Sequence, residues 1–427
     1  MDKLIIEGGR PLEGTIRTAG SKNAVLPILA ASLLTRGTLK ITGAPRLADV
    51  STMLDILRDL GAEAEQDEDG TIEISAAGDI SGTAPWERVR KMRGSVCVLG
   101  PLLTRLGAAR VSRPGGCAFG VRPIDVHEKG MRALGAKVRT EHGYVVCDAP
   151  PGGLRGDRMF LGSANGPSVL GTANVVMAAT LARGTTVIEG AACEPEVVDL
   201  CNCLRAMGAK IEGHGSPVIT IEGVEELTGA DHHVIPDRIE AGTYVLAGAL
   251  AGGNVRVENC VPGHLGALLD RMREARVPFT VGEDWIETEA NDLGERPPRP
   301  TDVTTHAFPG FPTDLQAQWM ALMTRADGIS IITERIFSDR WMHVPELARL
   351  GAQLRRQEAA VVVRGTRELS GAPVMASDLR ASAALVMAGL VARGSTEIHR
   401  VYHIDRGYEA IEERLSAIGA AISREAE

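Results

Sequence analysis

One pattern recurs six times along the 427 residues, and it limits the possible fold more than any other feature. It consists of an apolar, Ala-rich stretch, a Gly turn, a short strand, a loop, an amphipathic stretch and then Leu-Gly-Ala or a close variant. The first copy opens at Ile28 and ends at Leu60-Gly-Ala, and later copies end at Leu134, Met207, Leu350 and Ile418. The fourth has lost the signature, with Glu274-Ala-Arg in its place. A repeat of roughly 70 residues is longer than a solenoid unit. After each Gly-Ala the residues alternate in polarity, as in Thr71-Ile-Glu-Ile-Ser, often behind a turn such as Asp69-Gly70. That reads as a strand or hairpin. The glycines are expected to cap helices in the left-handed conformation. One unit therefore reads β-α-β-α-β-β. Ala-Ala-Ser-Leu-Leu and Ala-Ala-Thr-Leu-Ala are apolar all round, so their helices belong inside and the sheets outside. The expected fold class is α/β, with six units split into two domains of three.

Composition narrows the function. Aromatics are 3% of the chain and the formal charge is −9, with no basic tract. Stacking platforms and a cationic groove for nucleic acid are thus not expected. The longest apolar runs, 24–34 and 383–392, are too short to span a bilayer, and the first residues show no export signal. Seven cysteines suit a reducing compartment, and Cys201 and Cys203 read as thiols of a helix rather than metal ligands. A repeat by itself would fit a scaffold without chemistry equally well, so function has to be sought where copies depart from the pattern.

Several departures stand out. Gly20-Ser21-Lys22-Asn23 precedes the first apolar helix. Ser21 can cap that helix, with Pro27 tolerated in its first turn. Lys22 opposes the helix dipole, which is reasonable with an anion at the helix end; a solvated lysine is the plain alternative. Residues 113–123 form a Gly-rich insertion that sets Cys117 between Arg113 and Arg122. Cations nearby favour thiolate, which makes Cys117 a candidate reactive group. Asp314 follows the turn-rich Phe308-Pro-Gly-Phe-Pro-Thr and reads either as a helix cap or as a general base. Arginines recur in loops of several copies: Arg340 after Ile336-Phe-Ser-Asp, Arg380 after Asp378-Leu, and Arg406 after His403-Ile-Asp. Converging with Lys22, Arg93 and Arg122, they would form a cationic face suited to phosphate-bearing substrates.

Seven segments resemble the UDP-N-acetylglucosamine 1-carboxyvinyltransferases of the EPSP synthase superfamily, and the similarity runs end to end. They are Gly-Ser-Lys-Asn-Ala-Val-Leu-Pro from Gly20, Lys-Met-Arg-Gly-Ser from Lys91, and Pro-Gly-Gly-Cys-Ala-Phe-Gly-Val-Arg-Pro-Ile-Asp from Pro114. The others are Ile-Pro-Asp-Arg-Ile-Glu from Ile235, Phe-Pro-Thr-Asp-Leu-Gln-Ala-Gln from Phe311, Met-His-Val-Pro-Glu-Leu from Met342 and Tyr-His-Ile-Asp-Arg-Gly-Tyr from Tyr402. The resemblance implies two inside-out α/β domains. Residues 22–232 would form the first lobe and residues 1–21 plus 233–427 the second, so that the first strand joins the C-terminal lobe. It also implies transfer of the enolpyruvyl group of phosphoenolpyruvate to the 3-hydroxyl of UDP-N-acetylglucosamine. That is an early step of peptidoglycan synthesis in the cytoplasm, without cofactor or metal.

By the same resemblance, Lys22, Arg122 and Arg406, aided by Arg340 and Arg380, hold the phosphate and carboxylate of phosphoenolpyruvate. Asn23 touches the sugar. Arg93, Arg122, Pro123, Ile124, Asp125, Val126 and Ile336 contact the uridine diphosphate. Cys117 donates a proton and can form a covalent adduct. Asp314 takes the proton of the sugar hydroxyl, and Asp378 supports developing charge. One stretch departs: Ser168-Val-Leu-Gly-Thr172 stands where Ser-Val-Gly-Ala-Thr is usual. Ser168 and Val169 are carried over as nucleotide contacts, and Leu170 could alter the backbone approach there. The competing readings are a paralogous transferase acting on another nucleotide, the shikimate-pathway enolpyruvyl transferase, and a six-repeat scaffold. The Cys117 loop and the Tyr402 segment argue against the shikimate enzyme. Oligomeric state is left open.

Overall fold

The computed structural model describes residues 2–113, 124–164 and 166–426. They fall into two compact units: residues 20–113 with 124–235, and residues 2–19 with 236–426. Each has its own apolar core, and the two cores share no residue.

Both units are built the same way. Among the described residues, three nearly apolar helices lie inside each, and sheets cover them. In the N-terminal unit the inner helices are α1 (Lys22–Ala31), α2 (Leu99–Leu106) and α3 (Val169–Ala179). In the C-terminal unit they are α4 (Arg238–Ala251), α5 (Gln316–Met323) and α6 (Ala381–Val391). Every residue of α5 is buried. A helix without a polar face can only be stable when surrounded, so the all-round apolar sequence dictates the inside-out plan. Each fully buried Leu or Val adds about 1.5–3 kcal/mol. Among the described residues no helix is long and apolar enough to cross a membrane.

Among the described residues, six four-stranded sheets share one topology. In the sheet built from Thr38–Thr42, Glu63–Gln66 and Ile72–Ser75, the fourth strand is Ala230–His233 from the end of the same unit, parallel to Thr38–Thr42. Leu39, Ile41, Ile72 and Ile74 point to the core, while Lys40 and Glu73 pair outside at 3.1 Å. That is the period-2 alternation of a sheet with one wet face. The C-terminal unit closes similarly. The first strand, Asp2–Glu7, pairs antiparallel with Ser395–His399 and Ala421–Ala426, and Gly14–Arg17 lies parallel to Val255–Glu258.

Most of the repeat glycines behave as expected. Gly61, Gly135, Gly208, Gly351 and Gly419 have φ between +90° and +105°. In the degenerate fourth copy Arg276 occupies the equivalent turn at φ +59°. Gly37 differs from the left-handed expectation, because its φ is not positive. A Cβ there would lie 2.3 Å from the Gly229 nitrogen, so close approach of the backbone leading into Ala230–His233 is what requires glycine.

Candidate active site

The C-terminal unit gathers the richest cluster. The turn Thr313–Leu315 leads into α5 and carries Asp314. The carboxylate is no helix cap, since α5 has no side-chain capping bond at its start. Instead it takes a 2.6 Å hydrogen bond from Nη1 of Arg340. Arg340 turns the rest of its guanidinium to Asp378, Nε at 2.9 Å and Nη2 at 3.2 Å. One buried arginine thus joins two carboxylates, with Asp314 keeping 26% of its side-chain surface exposed and Asp378 only 2%. Oδ1 of Asp378 also accepts the backbone N–H groups of Arg380 and Ala381, so it stabilises the start of α6. Arg380 donates to the Gly407 carbonyl and to Asp237, both at 2.7 Å. Asp237 in turn caps α4 through Ile239 and Glu240. Buried charges at this density are tolerable because each is paired and hydrogen-bonded.

The electrostatics follow from that geometry. Burial by itself raises the Asp314 carboxyl, but Arg340 and Arg380 outweigh it and hold the group well below the usual carboxylate range. Asp378 is lowered too, burial being overcome by Arg340 and two backbone N–H groups. Behind Arg340, Glu334 accepts from Thr305, Thr313 and the N–H groups of Ile336 and Phe337. That fixes the Ile336 segment. Arg406 is half-buried near His403.

In the N-terminal unit, Ser21 caps α1, accepting from the Ala24 N–H at 3.4 Å. Pro27 sits at the sixth position of that helix rather than in its first turn, and it has no N–H to donate to the Asn23 carbonyl. Lys22 is neither solvated nor alone: it is buried and pairs with Asp49 at 2.7 Å. Ser168 caps α3 through the Gly171 N–H at 3.2 Å, and Val169 and Leu170 pack against the core. Gly171 leaves room for Val126, whose Cγ1 would lie 2.8 Å from an added Cβ. Ile124 and Val126 are themselves core residues, and Asp125 is exposed. Arg93 opens the turn before α2 and faces the buried His127, which burial and Arg93 push down to about 3. Cys117, Arg122 and Pro123 lie outside the described residues.

The structure therefore brings together Asp314, Arg340, Asp378 and Arg380 in one unit. Asp49, Asp237 and Glu334 are not among the residues expected from the sequence. Asp237 stands within the Ile235 segment, where Asp before an apolar run signals a cap. Asp49 and Glu334 carried no comparable signal.

The EPSP synthase (3-phosphoshikimate 1-carboxyvinyltransferase) family matches the chain over residues 6–415. A UDP-N-acetylglucosamine 1-carboxyvinyltransferase of Anaeromyxobacter sp. (strain Fw109-5) is 53% identical over 427 residues, 100% of either chain. The chain belongs to the UDP-N-acetylglucosamine 1-carboxyvinyltransferase family. Among solved structures, the enolpyruvyl transferase NikO from Streptomyces tendae superposes with a TM-score of 0.89 at 26% identity, covering 99% of this chain and 98% of that one. An EPSP synthase from Acinetobacter baumannii, 19% identical, shares the fold with a TM-score of 0.73 over 100% of both chains. The six-repeat, helices-inside plan is thus the enolpyruvyl transferase architecture.

Proposed function

We propose that the chain transfers the enolpyruvyl group of phosphoenolpyruvate to the 3-hydroxyl of UDP-N-acetylglucosamine and releases inorganic phosphate. The observation that carries this reading is the carboxylate of Asp314, partly open to solvent and held beside Arg340 and Arg380. In this reading Cys117 protonates the methylene carbon of phosphoenolpyruvate, and an oxocarbenium-like centre develops at C2. Asp314 takes the proton of the sugar hydroxyl as its oxygen attacks that centre. The tetrahedral adduct then expels phosphate as the methylene carbon returns a proton. Lys22, Arg122, Arg340, Arg380 and Arg406 hold the substrate's phosphate and carboxylate, and fixed cations of this kind stabilise the charge that shifts between them. Asn23 meets the sugar, with Arg93, the 122–126 stretch, Ser168, Val169 and Ile336 at the nucleotide. When substrate oxygens draw hydrogen bonds from Arg340, its hold on Asp314 weakens and the carboxylate becomes a better base. Asp378 keeps Arg340 oriented through the exchange. The reaction belongs to peptidoglycan synthesis in the cytoplasm, and the epoxide fosfomycin alkylates Cys117.

The test is phosphate release from phosphoenolpyruvate with UDP-N-acetylglucosamine, shikimate 3-phosphate and sugar-free uridine nucleotides offered in turn, with a chelator present. Release with the UDP-sugar alone is expected. Release with only another acceptor, or full dependence on a divalent ion, overturns the assignment.

A further inference from the structure

Beneath Asp314 lies a hydrogen-bond chain that none of the roles above uses. Gln318, on α5, is fully buried. Its Nε2 is 3.0 Å from the Asp314 carbonyl oxygen, 3.2 Å from Oη of Tyr408 and 3.1 Å from Oγ1 of Thr243. Thr243 and Tyr408 are each 1% exposed. The donors and acceptors can be assigned. Oγ1 of Thr243 lies 2.8 Å from the Ile239 carbonyl, which can only accept, so the single threonine proton goes there. Tyr408, 2.8 Å from the same Oγ1, must then donate to Thr243. The Tyr408 oxygen is left as an acceptor for the Gln318 amide. One amide proton serves the Asp314 carbonyl and the other is shared between the two hydroxyls. If the amide were flipped, its oxygen would face the Asp314 carbonyl, so the orientation is fixed.

Two further observations argue that packing is not the reason for a glutamine here. Its Oε1 is buried and has no hydrogen-bond partner among the described residues, a cost that methionine or leucine at the same place would not carry. The chain also reaches the cations: the Tyr408 ring lies 5.1 Å from the Arg380 guanidinium. It therefore joins α4, α5 and the loop of the sixth repeat at the backbone of Asp314.

We propose that Gln318 is a positioning residue for the base. It fixes the Asp314 carbonyl, and with it the turn that aims the carboxylate, while Tyr408 and Thr243 lock the amide. This rests on Asp314 being the base, as assigned above. The experiment compares full-length wild type, Gln318→Met, Tyr408→Phe and Asp314→Asn by kcat, KM for both substrates, UDP-sugar Kd and melting temperature. Gln318→Met should lose about 10²-fold in kcat while KM and Kd stay within about threefold. It should melt close to wild type, because removal of the unpartnered buried oxygen offsets loss of the amide's bonds to the Asp314 carbonyl and the two hydroxyls. Tyr408→Phe keeps the ring beside Arg380 and removes only the hydroxyl, so a loss of about tenfold in kcat is expected. Full turnover in Gln318→Met, or a loss matched by weaker UDP-sugar binding and a lower melting temperature, overturns the proposal. Should Gln318→Met fail to fold, an unchanged kcat in Tyr408→Phe overturns it. An active wild type with a dead Asp314→Asn and an unaffected Gln318→Met sinks this inference alone. Full turnover in Asp314→Asn sinks the base assignment and this inference with it.

Discussion

A carboxylate whose proton affinity is held down by Arg340 and Arg380 is a poor base until a guanidinium is drawn elsewhere. Asp314→Ala should therefore lower turnover by about 10³-fold while UDP-sugar affinity changes within about threefold, because a base acts chiefly in the transition state. Single-turnover kinetics with calorimetric titration reads both; equal losses in both would contradict a base. Cys117→Asp should keep substantial turnover with an optimum shifted toward acid, and Cys117→Ala should be nearly inactive, since an acid can stand in for a proton donor but a methyl group cannot. A pH-rate profile of the two variants decides this, and an active Cys117→Ala removes the thiol from the mechanism. Glu240 supplies a pH dependence of stability. Burial pushes its carboxyl up to about 7 from 4.5, with Arg414 opposing and Asp237 adding to the rise. The folded chain thus binds that proton more tightly than the unfolded chain. The stabilisation is complete below about 4.5 and is lost as pH rises through about 7. Relative to Glu240→Gln, the wild type should lose roughly 2–3 kcal/mol between pH 4.5 and 8. Urea unfolding across that range measures it, and a pH-independent difference would refute it. At this scale the sequence exposed residues that break a pattern, such as Lys22, Asp314 and Arg380. It hid what supports them: Asp49, which pairs with Lys22, and Glu334, which holds Thr313 beside Asp314, sit in unremarkable local sequence and matter only through contacts made by folding.

Among the elements, the turn that ends each outer helix offers a clean measurement. Gly208 has φ +105°, and an added Cβ would meet nothing within 4 Å. Gly208→Ala should therefore destabilise by roughly 1–2 kcal/mol through backbone conformation alone, without any steric contribution. Denaturant unfolding of this variant beside an exposed-helix Ala control tests it; a neutral result would mean that the turn relaxes. Arg276, at φ +59° in the fourth copy, shows that the left-handed turn survives where glycine has been lost. The helices and most turns are legible in the sequence because their causes are local: apolar periodicity, Ser21 as a cap, and glycine at positive φ. Gly37 departs from that pattern because its cause is not local. Only the backbone passing at Gly229 explains it.

Across the whole molecule, two cores without a common residue imply two cooperative units. Leu29→Ala and Leu385→Ala each empty a fully buried site, one in either core. Each should cost about 2–5 kcal/mol, and each should lower a different transition in scanning calorimetry. A common shift of a single transition by both variants would show that the units unfold together. The sequence by itself determined the repeat, its six copies, the burial of the inner helices and the outward alternation of the strands. The repeat is a recurrence at roughly 70 residues, and the burial and alternation follow from composition within a few residues, where hydrophobic burial and backbone sterics decide the outcome. Only the tertiary structure decided that Asp2–Glu7 completes a sheet with Ser395–His399 and Ala421–Ala426, and that Ala230–His233 returns to Thr38–Thr42. It alone decided that Arg340 is shared between Asp314 and Asp378. Such pairings join residues far apart in the chain, and their energy lies in desolvated contacts that exist only once the repeats have closed upon one another.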